Sequence, residues 1–155
     1  MFELMVAARM LLTAPHSIVG IDRAKIEAHF GQAESVGTDF RPNAAGGAAD
    51  RVVTLDWPQL RIRLFVSPER QSVSLLGVTT TSDVLKIDSP VHIGVDRGTV
   101  LRELGGPIYE DEFQIVYSLE QDAPNLPRQT VRLAFRDDRV AGIDWSFPLD
   151  IDPRR

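Results

Sequence analysis

Gly20-Ile-Asp-Arg-Ala-Lys-Ile-Glu-Ala-His-Phe-Gly31 reappears, altered, as Gly94-Val-Asp-Arg-Gly-Thr-Val-Leu-Arg-Glu-Leu-Gly105. Gly20, Asp22, Arg23 and Gly31 recur as Gly94, Asp96, Arg97 and Gly105, at a constant displacement of 94 − 20 = 74 residues. Ile21, Ile26 and Phe30 recur as the apolar Val95, Val100 and Leu104, and upstream Ala14-Pro15-His16 echoes Ser89-Pro90-Val91-His92. Each shared position has a mechanical reading. Asp22 and Asp96 suit a helix N-terminus, where a carboxylate accepts hydrogen bonds from free amides and meets the positive end of the dipole. Gly31 and Gly105 suit the helix stop, because a left-handed residue is cheapest without a side chain. Between them, Ile26 with Phe30 and Val100 with Leu104 form i, i+4 apolar pairs. Helices of about two turns are unstable alone and require a sheet to lie on.

The strands follow in the same order after each helix. Ile62-Arg-Leu-Phe-Val-Ser-Pro-Glu-Arg70 matches Val131-Arg-Leu-Ala-Phe-Arg-Asp-Asp-Arg139 at a displacement of 131 − 62 = 69 residues, each a strand entering a polar turn. Period-2 alternation places Ile62, Leu64 and Val66, and likewise Val131, Leu133 and Phe135, on one face, with Arg63 and Arg132 on the other. Strands are expected before them at 51–57 (Val53, Leu55, Trp57 inward) and 113–119 (Phe113, Ile115, Tyr117, Leu119 inward), and after them at 72–79 and 139–147. Each unit therefore reads as a helix and three strands joined by hairpins. Residues 37–50 read as a long insert between helix and sheet, residues 121–129 as the corresponding long loop of the second unit, and residues 79–90 as a partly extended link. The expected fold is α+β: one domain over 1–155, with an N-terminal helix at 1–14 and tandem helix-plus-antiparallel-meander repeats at about 15–80 and 89–149. The repeats share one sheet, with the helices on one face.

Composition bounds the function. A chain of 155 residues buries roughly 70% of its unfolded surface and folds without staples. There is no cysteine, which removes disulfides, thiolate nucleophiles and cysteine metal sites. A net charge of −5 argues against nucleic acid as a partner and favours a basic protein. The opening Met1-Phe-Glu-Leu-Met-Val-Ala-Ala-Arg-Met-Leu-Leu-Thr-Ala14 reads as an amphipathic helix with Phe2, Met5, Val6 and Leu12 inward. Glu3 and Arg9 interrupt a signal-peptide pattern. No apolar run approaches the ~20 residues of a membrane span, and a cytoplasmic location is expected, periplasmic where a leader has been removed.

Catalytic signatures are missing from the sequence. His16, His29 and His92 fall singly, without ligand spacing. Ser35, Ser67 and Ser146 lack a strained nucleophile turn. Glu110-Asp-Glu112 and Asp137-Asp138 read as solvated turns, and Gly46-Gly47 and Gly105-Gly106 as an insert and a helix stop rather than a phosphate loop. The expectation is no enzyme, no cofactor and no metal. What remains is the outward sheet face with Arg61, Arg63, Arg132 and Arg136, and the strand-end aromatics Trp57, Tyr117, Trp145 and Phe147. These residue types anchor protein interfaces. Trp57 and Tyr117 also follow the inward parity, so a core role stays open for them. A sheet face without helices must be solvated or occupied by a partner.

Ile93-Gly-Val-Asp-Arg-Gly-Thr-Val-Leu-Arg-Glu-Leu-Gly-Gly-Pro107 resembles the unit Ile-x-x-Gly-Met-[Ser/Thr]-x-x-x-Val-x-x-x-Leu-Gly-x-Pro of the SmpA/OmlA family of small bacterial outer-membrane assembly lipoproteins. Asp96 stands for the capping residue, and Val100, Leu104, Gly105 and Pro107 hold matching places. Gly20 to Gly31 is the weaker copy, without the proline. The tandem arrangement is similar to the β-lactamase inhibitor protein family. Neither a lipid-attachment cysteine nor the inhibitors' cysteines are present. The resemblance implies binding of a protein through a sheet made by two units, with an inhibitor or immunity role as one version. The alternatives are a small-ligand binder or enzyme with a pocket between the repeats, walled by Trp145, Phe147 and the 37–50 segment, and a structural or homodimerising domain.

Overall fold

The computed structural model describes residues 10–15, 22–43, 46–118 and 129–148. Residues 10–15 are helical (α1) and bury Leu11 and Leu12. The Asp22 carboxylate accepts a 2.9 Å hydrogen bond from Ala24 N and opens α2, Arg23–Phe30, which ends at Gly31 with φ +85°. The Asp96 carboxylate likewise accepts a 2.7 Å bond from Thr99 N and opens α3, Arg97–Leu104, which ends at Gly105 with φ +79°. A side chain at those angles would be strained, so the glycines set where both helices stop.

Strands β1 Ser35–Arg41, β2 Asp50–Trp57, β3 Leu60–Ser67 and β4 Ser72–Thr80 follow α2. A 3-10 turn at Asp83–Leu85 buries Leu85 and leads to α3, after which come β5 Tyr109–Glu110, β6 Gln114–Tyr117, β7 Thr130–Arg136 and β8 Arg139–Ser146. They form one eight-stranded antiparallel sheet in the order β1-β2-β3-β4-β8-β7-β6-β5, an α+β fold. The fourth and eighth strands meet at the middle, where Val78 opposes Trp145 and Thr79 opposes Asp144.

The alternation read from sequence decides which side is buried. Leu55, Ile62, Leu64, Val78, Ile115, Val131, Leu133, Ile143 and Trp145 face the helices and are buried, together with Ile26 of α2 and Val100 and Leu104 of α3. Burying each such side chain contributes about 1.5–3 kcal/mol, which is what holds two-turn helices in place.

Three expectations are corrected. Residues 35–41, within the stretch read mostly as an insert, are β1: Gly37 and Asp39 carry no strand signal and all seven residues are exposed, so only pairing with β2 defines the strand. Tyr109–Glu110 is a short strand against β6, so each helix is followed by four strands rather than three. Phe113 is not inward but 68% exposed, because the Asp111 carboxylate accepts from the amides of Phe113 and Gln114 and turns the chain there. Phe2, Met5, Val6, His16, Leu119 and most of the 121–129 loop lie outside the described residues.

Candidate partner-binding face

The sheet side opposite the helices carries the arginines the sequence singled out. Because β2, β3, β4, β8 and β7 pair in register, Asp56, Arg61, Thr79, Asp144 and Arg132 stand in one row across it. The row is held in two groups, Asp56 with Arg61 and Thr79 with Asp144 and Arg132. Arg61 Nε donates to Asp56 Oδ1 at 2.6 Å, Thr79 Oγ1 donates to Asp144 Oδ1 at 2.8 Å, and Arg132 Nη2 lies 3.6 Å from Asp144 Oδ2. The Asp56 carboxylate holds the Arg61 guanidinium above its ordinary range, first by that hydrogen bond and then by charge. Alternating charges on neighbouring strands are the favourable cross-strand arrangement.

A second row lies beside the first, with Thr54, Arg63, Gly77 and Ser146. Arg63 lies over Gly77, where an added Cβ would sit 2.9 Å from Arg63 Nη2. Arg136 is exposed at the β7–β8 turn, where Asp137 and Asp138 both take positive φ. Among the described residues neither Arg63 nor Arg136 is in an ion pair. Apart from Gly77, buried beneath Arg63, every residue of the two rows is partly or fully exposed, in contrast to the buried opposite side.

The four aromatic residues nominated with the arginines are not on this face, which corrects that part of the expected site. Trp145 is 0% exposed on the helix side, and its indole donates a 2.8 Å bond to the Leu11 carbonyl of α1. Tyr117 is buried and its hydroxyl donates to the Gly105 carbonyl at 2.9 Å, while the half-buried Trp57 donates from Nε1 to the Gly31 carbonyl at 3.0 Å. Phe147 is buried. Inward parity puts these residues among the helices, and two of them secure the helix-stopping glycines. Burial also raises the Tyr117 phenol to about 12, with the Glu110 carboxylate adding to it.

The open side carries the exposed Tyr109, paired with Val116 beside Arg132, and Phe65, half-buried and paired with Val52. The signal of Phe65 was available: it follows Arg63 by two residues on an alternating strand. Asp56 and Asp144 were legible the same way, but not their partners. The walls expected for a pocket between the halves do not converge, since Trp145 and Phe147 are packed in the core while three strands separate β1 from β8. His29 packs edge-on against Phe30 and the His92 ring lies 2.9 Å from the Ile93 carbonyl. Among the described residues no group of His, Asp and Glu is placed to hold a metal ion, and no helix is long and apolar enough to cross a membrane.

Comparison of the chain with known protein families, with curated proteins and with solved structures returned no match.

Proposed function

We propose that this protein is a non-catalytic interaction module that binds a protein partner through the open side of its sheet. The observation that carries this reading is the row Asp56-Arg61-Thr79-Asp144-Arg132, a charged, pre-ordered ladder on a face that the described helices leave uncovered. Side chains already held by their neighbours lose little freedom on binding, and arginine offers several donors at once. Phe65 and Val52 supply an adjoining apolar patch. The net charge of −5 favours a basic partner at long range, whereas Arg63 and Arg136 offer donors for carboxylates or carbonyls at contact.

The same reading includes descent of the two halves from one unit, as in the inhibitor proteins the sequence resembles. Its support is local. Each half runs from an aspartate-capped helix to four strands, and an aromatic residue of the strand two before the hairpin's end bonds the glycine that stops the helix. Val78 faces Ile62 as Trp145 faces Val131, so aligning Ile62 with Val131 makes Val78 and Trp145 counterparts, and these two oppose each other at the seam. That is the pairing a pseudo-two-fold axis through the sheet would impose.

The test is affinity capture from the native lysate with the immobilised chain, beside an R61E/R132E variant and a K25E variant on α2. A protein retained by the wild type and by K25E but lost with R61E/R132E supports the open face. Equal retention by all three, or no retained protein, refutes it.

A further inference from the structure

We propose that β1 is a homodimerisation edge, at which two copies pair antiparallel about Thr38 and join their sheets into one. The two ends of the sheet are unlike. β5 is a two-residue strand and offers almost nothing to pair with, whereas β1 runs for seven residues, all exposed, with its outer edge unpaired among the described strands. A long free edge is a template for another strand unless charge, proline or a bulge blunts it. Here Ser35, Val36, Gly37 and Thr38 are uncharged, and Asp39 is already neutralised by Arg41 at 2.8 Å.

The occupant is chosen by the strand's own sequence. Register with β2 puts Val36, Thr38 and Phe40 on the helix side, opposite Leu55, Val53 and Arg51. Val36 and Phe40 are 43% and 65% exposed, two of the large apolar side chains left in solvent. A two-fold axis at Thr38 sets Phe40 of each copy against Val36 of the other, on the same side of a continuous sheet, and Asp39 against the small Gly37. Aromatic against β-branched is a favourable cross-strand pair. Moving the axis to Gly37 would oppose Phe40 with Glu34, and moving it to Asp39 would oppose two aspartates. Placing it between residues would set Phe40 against a side chain of the opposite face. Thr38 is also the midpoint of Ser35–Arg41, so this axis alone pairs all seven residues, whereas one at Phe40, setting Phe40 against itself and Asp39 against Arg41, would leave Ser35–Thr38 facing residues beyond the strand. The fullest register is thus a self-complementary one, the requirement for a closed pair of identical chains. It uses none of the open-face arginines and stands whether or not the proposed partner exists.

Sedimentation over a concentration series should show a two-chain species for the wild type and a single chain for V36K/F40K, since lysine on an edge opposes pairing. Both positions are exposed, so circular dichroism should be unchanged. In a chain without cysteine, T38C adds a register-specific readout: mild oxidation should give a disulfide-linked pair, with D39C linking far less. A wild type that stays single at every concentration, a pair unaffected by V36K/F40K, or T38C that links no better than D39C would overturn the proposal. Capture by β1 of an extended segment from another protein by a single-chain wild type would do the same.

Discussion

Thr79 Oγ1 donates a 2.8 Å hydrogen bond to Asp144 Oδ1 across the β4–β8 seam, joining the two halves of the sheet on its open side. The remaining carboxylate oxygen of Asp144 faces Arg132, so the aspartate is shared between a neutral and a charged donor. Replacing Thr79 with valine keeps the shape and removes the donor. T79V should cost about 0.5–1.5 kcal/mol in urea unfolding, the net value of one such bond. R61A should lie within about 1 kcal/mol of wild type, because its ion pair is solvent-exposed.

Two glycines should respond with opposite signs. A Cβ on Gly77 would lie 2.9 Å from the backbone oxygen of Trp145, which the strand pairing holds, and 2.9 Å from Arg63 Nη2, which can swing away. G77A should therefore destabilise by about 1–3 kcal/mol. Gly98 lies in α3, where the nearest atom to an added Cβ is Asp96 Oδ1 at an unstrained 3.9 Å, and G98A should stabilise by about 0.5–1 kcal/mol by limiting the unfolded chain. Thermal or chemical melts of the two variants read this directly.

Removing the Tyr117 hydroxyl leaves the Gly105 carbonyl without that donor. Y117F should lose about 1–2 kcal/mol at neutral pH. In the wild type the phenol rises from 10.0 to about 12 on folding, so its contribution is complete below pH 10 and disappears as pH rises through about 12. The stability difference between wild type and Y117F should shrink over that alkaline window.

Asp96 should govern part of the acid limb. Hydrogen bonds from the Thr99 side chain and then its amide hold the Asp96 carboxyl below its ordinary 3.8. A depressed carboxylate stabilises the fold above its unfolded value and loses that effect as pH falls through the folded value. D96N keeps a capping oxygen but cannot ionise, so its stability should fall less steeply than that of wild type below about pH 4. Parallel acid profiles would show that the cap carries no charge-dependent stability.

The helices, their caps and most inward strand positions were legible because each depends on neighbours in sequence. An aspartate followed by an i, i+4 apolar pair and a glycine specifies a short capped helix, and a run such as Val131-Arg-Leu-Ala-Phe specifies which side is wet. The edges were not legible. β1 alternates Val36, Thr38 and Phe40 with Gly37, Asp39 and Arg41, but glycine and aspartate are poor strand formers and neither side is buried, and Tyr109–Glu110 is too short to alternate, so both exist as strands through pairing with β2 and β6. The arginine side of the candidate site follows from parity, and the same parity buries Trp145, Tyr117 and Phe147 although they stand near strand ends.

By itself, the sequence determined local conformation and the buried side of each central strand, since capping, left-handed glycine and period-2 burial are short-range effects. The tertiary structure alone decided that β4 meets β8, that Asp56, Arg61, Thr79, Asp144 and Arg132 fall in one row, and that β1 is the long free edge among the described strands. Strand order and register are set by how all the apolar faces close over a common core, and no stretch of a few residues contains that information.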